Sequence, residues 1–401
     1  MNNIKIAVMS DVHAFDSTIE PSTSPVSFLD IKKPESDYTK HPISGLFKLI
    51  ADQSLQADYL LLPGDLSDKA CIAPLKYVWS KIQSIKEALG STAVLPTAGN
   101  HDLDSRYIYN DYDAKGVIQD LNPHFPIEDE NSFNKYWAKN YIIIRYDELR
   151  FLIINSSAYH GNAQEEINFG RISQATIRSI EKELSEDKGL YSINIMLCHH
   201  CVDKYKVTES DNSVMKGGDK IVELLNTGEY GNWLIIHGHK HNPNLYYSAG
   251  GGDSSIIFSA GSFSAVLYFD LQTNARNQFY IIDINIDDTK IMDSGIVGTI
   301  YSWDWYEGIG WQEASFKSGL PYICNFGNRE SPSSIANQIN SILSSSTEPY
   351  LYWSDLIKNN NKWKYILPSD LQKLTKRFEK MSIKYTWESN SCEIFQIGKT
   401  L

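Results

Sequence analysis

The sequence predicts an α/β sandwich, on three observations. Short apolar runs recur at residues 4–9, 59–62, 93–96, 193–197 and 233–236, each leads into a polar turn bearing Asp, Asn or His, and the stretches between most of them have helical spacing. Strands that deliver polar groups from one common end, joined by helices, pack as layers of helix on sheet. With 401 residues and 42% hydrophobic side chains, the chain holds enough for one large core plus a smaller unit. Two domains are therefore expected, 1–292 and 293–401, the second a C-terminal accessory domain or a subunit-contact extension.

The elements follow in order. Residues 4–9 run apolar up to Ser10-Asp11 and read as a buried strand. Pro21, Pro25, Pro34 and Pro42, with many Ser and Asp between them, make 14–44 an irregular insertion near that strand's end, placed to line a substrate pocket. A helix over 45–57 leads to the strand Tyr59–Leu62 and the turn Gly64-Asp65; a helix over 73–88 leads to the strand 93–96 and the turn Gly99-Asn100-His101-Asp102. An irregular middle, 103–140, precedes strands at 141–146 and 151–155 with Asp147-Glu148 as their turn. Ile172, Ala175, Ile177, Ile180 and Leu184 mark an amphipathic helix over 171–186, followed by the strand 193–197 that presents His199. Residues 219–227 look helical, Trp233–Ile236 leads into the paired histidines, and strand-like runs fill 255–284.

From residue 285 the character changes. Tyr301-Ser302-Trp303-Asp304-Trp305-Tyr306, Gly310-Trp311, a Ser-rich segment over 331–347 and a helical stretch over 369–381 carry no further metal motif. The aromatics are expected to pack rather than to contact ligand, because Trp and Tyr gain the most buried area per residue. Burial within the chain and burial against another subunit fit their spacing equally, so the oligomeric state is unknown at this stage.

Composition narrows the function classes. A net charge of −12, from 49 acidic and 37 basic residues, leaves no broad polycationic surface for duplex nucleic acid. Cys71, Cys198, Cys201, Cys324 and Cys392 are odd in number and form no dense framework, which fits reduced thiols. Neither the start nor any later run has the apolar length of a signal peptide or membrane span, so a cytoplasmic protein without a membrane partner is expected.

The polar turns carry the chemistry. Asp11 and His13 lie two apart at a strand end, where a turning backbone aims a carboxylate and an imidazole at one ion. One carboxylate can place an oxygen on each of two cations, and Asp65 is the natural bridge. Asn100 offers a neutral amide oxygen, and His199, His239 and His241 add nitrogens. This mixed N/O set suits two divalent or transition-metal ions, with Mn, Fe, Zn or Ni all compatible, and lacks the sulfur shell of a structural zinc site. Two such ions acidify a bridging water, neutralise phosphate oxygens and align nucleophile with leaving group. His101, beside a ligand without needing to be one, is placed to contact the phosphate or protonate the leaving oxygen, and Asp102 to hydrogen-bond the back of a histidine. Asp68 is placed to support the same turn.

Taken together, Asp11-Val12-His13, Gly64-Asp65-Leu66-Ser67-Asp68, Gly99-Asn100-His101-Asp102, His199 and Gly238-His239-Lys240-His241 resemble the calcineurin-like metallophosphoesterase superfamily over roughly 1–285. The resemblance implies a four-layer α/β/β/α sandwich with ligands on loops at one edge of two sheets. It also implies one metal on Asp11, His13, Asp65 and His241, a second on Asp65, Asn100, His199 and His239, and the phosphate-contacting, leaving-group role for His101. Asn155-Ser156, Gly170-Arg171-Ile172-Ser173 and the paired His199-His200 look similar to the cyclic-nucleotide and glycerophosphodiester phosphodiesterase branch, although Cys201 stands where many relatives have Pro. The expected activity is metal-dependent hydrolysis of a small-molecule phosphodiester or phosphomonoester. The alternatives are a DNA or RNA nuclease, which needs positive potential beside the metals, and a metal-binding regulatory scaffold, which a missing ligand would have favoured.

Overall fold

Three parallel strands near the N-terminus set the framework. The computed structural model describes residues 3–19, 25–109, 112–161, 169–203, 213–249, 251–292, 295–315, 319–388 and 393–399; Cys392 and residue 293 lie outside them. β1 (Asn3–Val8), β2 (Tyr59–Leu62) and β3 (Ala93–Pro96) lie side by side, with α1 (Pro42–Gln53) and α2 (Ile72–Leu89) as crossovers. Parallel neighbours cannot be joined by a tight turn, so each link carries a helix. α1 begins at Pro42 rather than at 45, because a proline's missing N–H costs nothing in the first turn and His41 Nδ1 accepts from Ser44 N at 3.2 Å.

The middle expected to be irregular holds two helices, α3 (Gly116–Gln119) and α4 (Glu130–Lys139). Asp129 caps α4, whose one buried side chain is Tyr136, and the Tyr136 hydroxyl accepts from Ala98 N at 2.9 Å. Tyr136 thereby braces the turn after β3, and with Phe133 and Trp137 only half-buried among polar neighbours the helix shows little hydrophobic periodicity.

The hairpin β4 (Tyr141–Tyr146) and β5 (Leu149–Ile154) opens the second sheet. α5 (Gln174–Glu186), β6 (Ile193–Leu197), α6 (Gly218–Leu225), β7 (Trp233–His237), β8 (Asn244–Tyr247) and β9 (Ile256–Ser259) follow, and the six strands lie in the order β4-β5-β6-β7-β9-β8. Every residue of β5, β6, β7 and β9 is buried, as in a sheet covered on both faces.

After α7 (Phe269–Gln272) the chain returns to the first sheet. β10 (Gln278–Asn285) pairs antiparallel with β1; beyond α8 (Ile286–Ile291), β11 (Gly298–Tyr306) pairs with β10, and both β12 (Gly310–Glu313) and β13 (Ile323–Phe326) pair with β11. This seven-stranded sheet and the six-stranded one face each other across the main core, with α1 and α2 covering one and α5 and α6 the other. The result is the α/β/β/α sandwich.

The division expected between 292 and 293 therefore falls where three strands of the first sheet have still to come, and we propose that the accessory unit starts after Phe326. The aromatics at 301–311 had suggested a separate small core. Instead Trp303, Trp305 and Trp311 join the main one, where Trp303 Nε1 donates to Gln53 Oε1 at 3.1 Å and Trp311 Nε1 to the Pro42 carbonyl at 2.9 Å. Losing one buried Trp costs roughly 3–5 kcal/mol, a large share of a domain's stability. A chain ended at residue 292 is accordingly expected to be recovered insoluble, and one ended at 326 soluble with a single cooperative melt; a soluble, cooperatively melting 1–292 fragment contradicts the assignment.

The last segment forms a small unit of its own. α9 (Pro332–Ser345), β14 (Tyr350–Tyr352), α10 (Trp353–Asn359), a 3-10 turn over Asn361–Tyr365, α11 (Pro368–Lys380), β15 (Ile383–Trp387) and β16 (Ile394–Lys399) enclose a core that includes Ile335, Ile339, Leu343, Trp363, Leu374 and Phe378. Its strands lie in the order β14-β16-β15. Ser331 caps α9 through Ser334 N, so serines that looked compositional start and coat a helix. The unit is fastened to the sandwich by Tyr365 Oη donating to Asp288 Oδ2 at 2.5 Å, Arg329 Nη1 to Ser254 Oγ at 2.7 Å and Tyr247 Oη to the Asn328 carbonyl at 2.6 Å. Among the described residues no helix is long and apolar enough to cross a membrane.

Candidate metal centre

The ends of β1, β2, β3, β6 and β7 meet at one edge of the sandwich, and the polar residues singled out in the sequence occupy the turns just beyond them. The backbone aims them. Asp11, His13, Asp65, His239 and His241 all hold φ between 48° and 67°, a left-handed conformation that L side chains seldom adopt and that costs roughly 1–3 kcal/mol each. Five such residues in one place mark a region shaped for chemistry rather than for stability. Two glycines let the turns close up: a Cβ on Gly99 would stand 2.1 Å from Asp65 Oδ1, and one on Gly238 would stand 2.3 Å from Asp11 Oδ2.

All seven expected ligands converge. His13 Nε2 lies 3.1 Å from His241 Nε2 and 3.5 Å from Asp65 Oδ2, and His241 Nε2 lies 3.4 Å from Asp11 Oδ1. On the other side of Asp65, His199 Nε2 lies 3.3 Å from Asp65 Oδ2, 3.0 Å from Asn100 Oδ1 and 3.2 Å from His239 Nδ1. Asp65 thus stands between two sets of donors. Nearby backbone groups lock the carboxylates, with His101 N donating to Asp65 Oδ1 at 2.7 Å and His239 N to Asp11 Oδ1 at 3.0 Å.

His101 lies beside this cluster, its ring centroid 4.7 Å from that of His13 and its Nδ1 2.8 Å from Asp68 Oδ1. Asp102 does not touch a histidine as expected. Its carboxylate accepts from Asp65 N, Leu66 N and Gly99 N at 2.7–2.9 Å, tying the turn after β2 to the turn after β3. Asp68 takes the histidine-orienting position instead, reaching His13 Nδ1 at 3.9 Å as well. Three residues after Asp65 on the same turn, Asp68 was visible in the sequence; its contact with His101 was not.

Electrostatics separates the groups. Burial pushes the Asp11 carboxyl up, but the hydrogen bond and charge of His241 and the charge of His199 outweigh it and hold Asp11 at about 2. Asp65 is held well below the usual carboxylate range by His199 and His101 despite its burial. Burial lowers His199, yet the Asp65 carboxylate raises it to about 9. Asp102 moves the other way, raised to about 6 by burial and by Asp65. His239 and His200 are pushed well below 6.5 by burial and by neighbouring imidazoles.

Four of the remaining histidines have hydrogen-bond partners, and the fifth, His124, lies against the Phe133 ring. His160 is buried between Ser105 Oγ at 3.0 Å and the Phe169 carbonyl at 3.2 Å, His41 caps α1, and His237 Nδ1 donates to the Gly238 carbonyl at 3.1 Å. His200 Nδ1 meets Ser156 Oγ at 2.9 Å, and one ring nitrogen of His200 lies within 4.8 Å of donor atoms on His199 and His239.

The donor set fits metal ions. Four imidazoles crowd in two pairs, their ring nitrogens 3.1 Å and 3.2 Å apart, around two buried carboxylates, and such a cluster of nitrogen and oxygen donors is the kind that holds divalent cations. Donor atoms from Asp11, His13 and His241, and from Asp11, Asp65 and His199, fall within 4.8 Å of one another.

A family profile described as calcineurin-like phosphoesterase matches residues 4–243, and one described as wHTH-Calcineurin_assc matches 324–380. No curated protein matches. Among solved structures, a dimetal phosphatase from Danio rerio is similar at 10% identity, covering 76% of this chain and 97% of its own, with a TM-score of 0.48. A purple acid phosphatase from yellow lupin (Lupinus luteus) seeds is similar at 14% identity and TM-score 0.48; the match covers 78% of this chain and 53% of the lupin protein.

Proposed function

The chain belongs to the calcineurin-like phosphoesterase family, and from that premise we propose that it hydrolyses a small-molecule phosphodiester or phosphomonoester at a dinuclear metal centre. The observation that carries this reading is the convergence of Asp11, His13 and His241 on one side of Asp65 and of Asn100, His199 and His239 on the other. Asp65 would hold both ions, the first three residues would complete one site and the second three the other, and Mn, Fe, Zn and Ni would all suit the donors. When bound, such ions supply Lewis-acid neutralisation of phosphate oxygens and a water acidic enough to react near neutral pH.

The chain's own residues do the rest. An ionised carboxylate only accepts, so Asp68 keeps a proton on His101 Nδ1 and fixes the ring with Nε2 as its free nitrogen. Burial disfavours a charged His101, but the Asp65 and Asp68 carboxylates raise its pKa above 6.5, which suits it to donate a proton to the leaving oxygen. Asp102 holds the two turns that carry Asp65 and His101 in register.

The diester branch is supported by one local arrangement. Ser156 Oγ accepts from His199 N and His200 N and meets His200 Nδ1, while a Cβ on Gly170 would stand 2.4 Å from His200 Cγ. The motif residues that carried the branch resemblance are thus one packed unit behind His199. A cytoplasmic setting is supported by the buried thiols of Cys71, Cys198, Cys201 and Cys324, which suit a reducing compartment.

The test is hydrolysis of a matched panel: bis(p-nitrophenyl) phosphate, p-nitrophenyl phosphate, cyclic mononucleotides, glycerophosphodiesters, and single- and double-stranded nucleic acids, each with Mn, Fe, Zn or Ni. Turnover of the small esters that is lost on chelation, restored by metal and lowered in His101→Ala is the expected result. Preferential cleavage of nucleic acid would replace this reading with a nuclease, and metal-independent turnover would overturn it.

A further inference from the structure

The two sets of donors are held differently. Asp11, His13 and His241, on one side of Asp65, all have left-handed backbone, whereas of Asn100, His199 and His239 on the other side only His239 does. A residue keeps that conformation only where its surroundings over-determine it, so the first set needs more support than the second.

Much of that support comes from one stretch of chain. Residues 260–265 cross the metal edge after β9, with Phe263 in the main core, its ring centroid 4.9 Å from that of Trp311. Ser262 and Ser264, on either side of it, are fully buried, and both hydroxyls donate to the Asp11-Val12-His13 turn. Ser262 Oγ donates to the Asp11 carbonyl and Ser264 Oγ to the Val12 carbonyl, each at 2.6 Å. Ala265 N donates to Ser262 Oγ at 2.7 Å, which leaves the Ser262 proton for Asp11. Three of the segment's own N–H groups are engaged elsewhere, Ala260 N with the His237 carbonyl, Gly261 N with Tyr280 Oη and Phe263 N with the Ser10 carbonyl, and side chains meet the two carbonyls of the turn instead. From the 14–44 insertion, Ser27 Oγ lies 3.1 Å from the same Val12 carbonyl.

The second set is braced from other places. His199 Nδ1 donates to the Pro63 carbonyl at 2.7 Å, His199 N donates to Ser156 Oγ at 3.3 Å, and Ser105 Oγ lies 3.3 Å from the Asn100 carbonyl. None of these partners lies within 260–265, so the two halves of the centre rest on separate supports.

We propose that Ser262 and Ser264 are positioning residues that set the affinity of one metal site, the one built by Asp11, His13 and His241, and leave that of the other unchanged. The inference rests on the dinuclear reading above. The two hydroxyls hold consecutive carbonyls between Asp11 and His13, and so fix the backbone angles that aim this carboxylate and this imidazole at one point. Alanine at either position leaves a buried carbonyl without its donor, and the turn then relaxes toward ordinary backbone angles that carry the two side chains apart. His241 loses the donors it converges with, while the turns that bear Asn100 and His199 stay as they are.

The test is zinc titration calorimetry of the full-length apoprotein in two backgrounds. Asn100→Ala leaves only the Asp11, His13 and His241 site complete, and His13→Ala leaves only the other; each is expected to bind one zinc ion. Adding Ser262→Ala/Ser264→Ala is expected to weaken zinc by about 10–100-fold in the Asn100→Ala background and to leave it within about twofold in the His13→Ala background. Thermal melting of each apoprotein checks the fold, and Ser264→Ala alone carries the same comparison, with the same sign, where the double variant does not fold. Equal weakening in the two backgrounds would make the serines general supports of the fold and overturn the inference, as would unchanged affinity in the Asn100→Ala background. An Asn100→Ala protein that binds no zinc would show the two sites to be inseparable and overturn it too. Wild type that binds fewer than two zinc ions would instead sink the dinuclear reading, and the inference with it.

Discussion

His101→Ala is expected to lower turnover by about 10²–10⁴-fold while metal content stays at the wild-type level. The argument rests on position. His101 touches the cluster through its backbone N–H to Asp65, which alanine keeps, while its ring is hydrogen-bonded to Asp68, which is not among the proposed ligands, and meets the His13 ring edge-on without a hydrogen bond. Removing the imidazole takes away the proton donor and leaves the ligands held as before. Elemental analysis of the purified variant beside steady-state kinetics on the best ester of the panel checks it. An ester whose leaving group needs no protonation, such as a p-nitrophenyl ester, is expected to suffer least, and an alkyl ester most. A variant that loses metal in proportion to activity would make His101 structural and overturn the role.

Asp65→Asn is expected to act on both quantities at once. An amide has one acceptor oxygen and no charge, so it cannot hold two cations as a carboxylate can, and it leaves His199 without the group that raises its pKa to about 9. Metal content is expected to fall from two ions per chain to one or fewer, with turnover down by more than about 10³-fold; losing either metal function alone accounts for several kcal/mol of barrier. Mass spectrometry of the native protein counts the ions directly. A variant that retains two ions would place the bridge elsewhere. Because His101→Ala and Asp65→Asn predict different ratios of metal loss to activity loss, the pair separates proton donation from metal retention.

Both variants were foreseeable from sequence because the ligands are local. Each lies within a few residues of the end of a short apolar run, and a run such as Tyr59-Leu60-Leu61-Leu62 is read as a buried strand from its composition alone. The ordered recurrence of Asp-x-His, Gly-Asp, Gly-Asn-His-Asp and His-x-His-x-His then indicated one centre, since scattered polar turns have no reason to follow strands in the same direction. Two elements were missed for different reasons: α4 has one buried residue, which leaves its cap Asp129 as the main local mark of helix, whereas α9 spaces Ile335, Ile339 and Leu343 at helical intervals beneath a serine coat that reads as a loop. The tryptophans of β11 and β12 were read correctly as packing residues but assigned to the wrong core, because composition says that a side chain is buried and not against what.

The sequence by itself determined the strands, the donor types and the polarity that puts every donor at one edge, since these depend on residues within a turn of one another. Only the tertiary structure decided that Asp68 rather than Asp102 holds His101, that β11 to β13 finish the first sheet, and that the small unit is fastened at the edge opposite the metal centre. Those outcomes turn on which surfaces meet between segments tens to hundreds of residues apart. Such meetings are fixed by the joint packing of two sheets and their helices, a property that no local stretch of sequence carries.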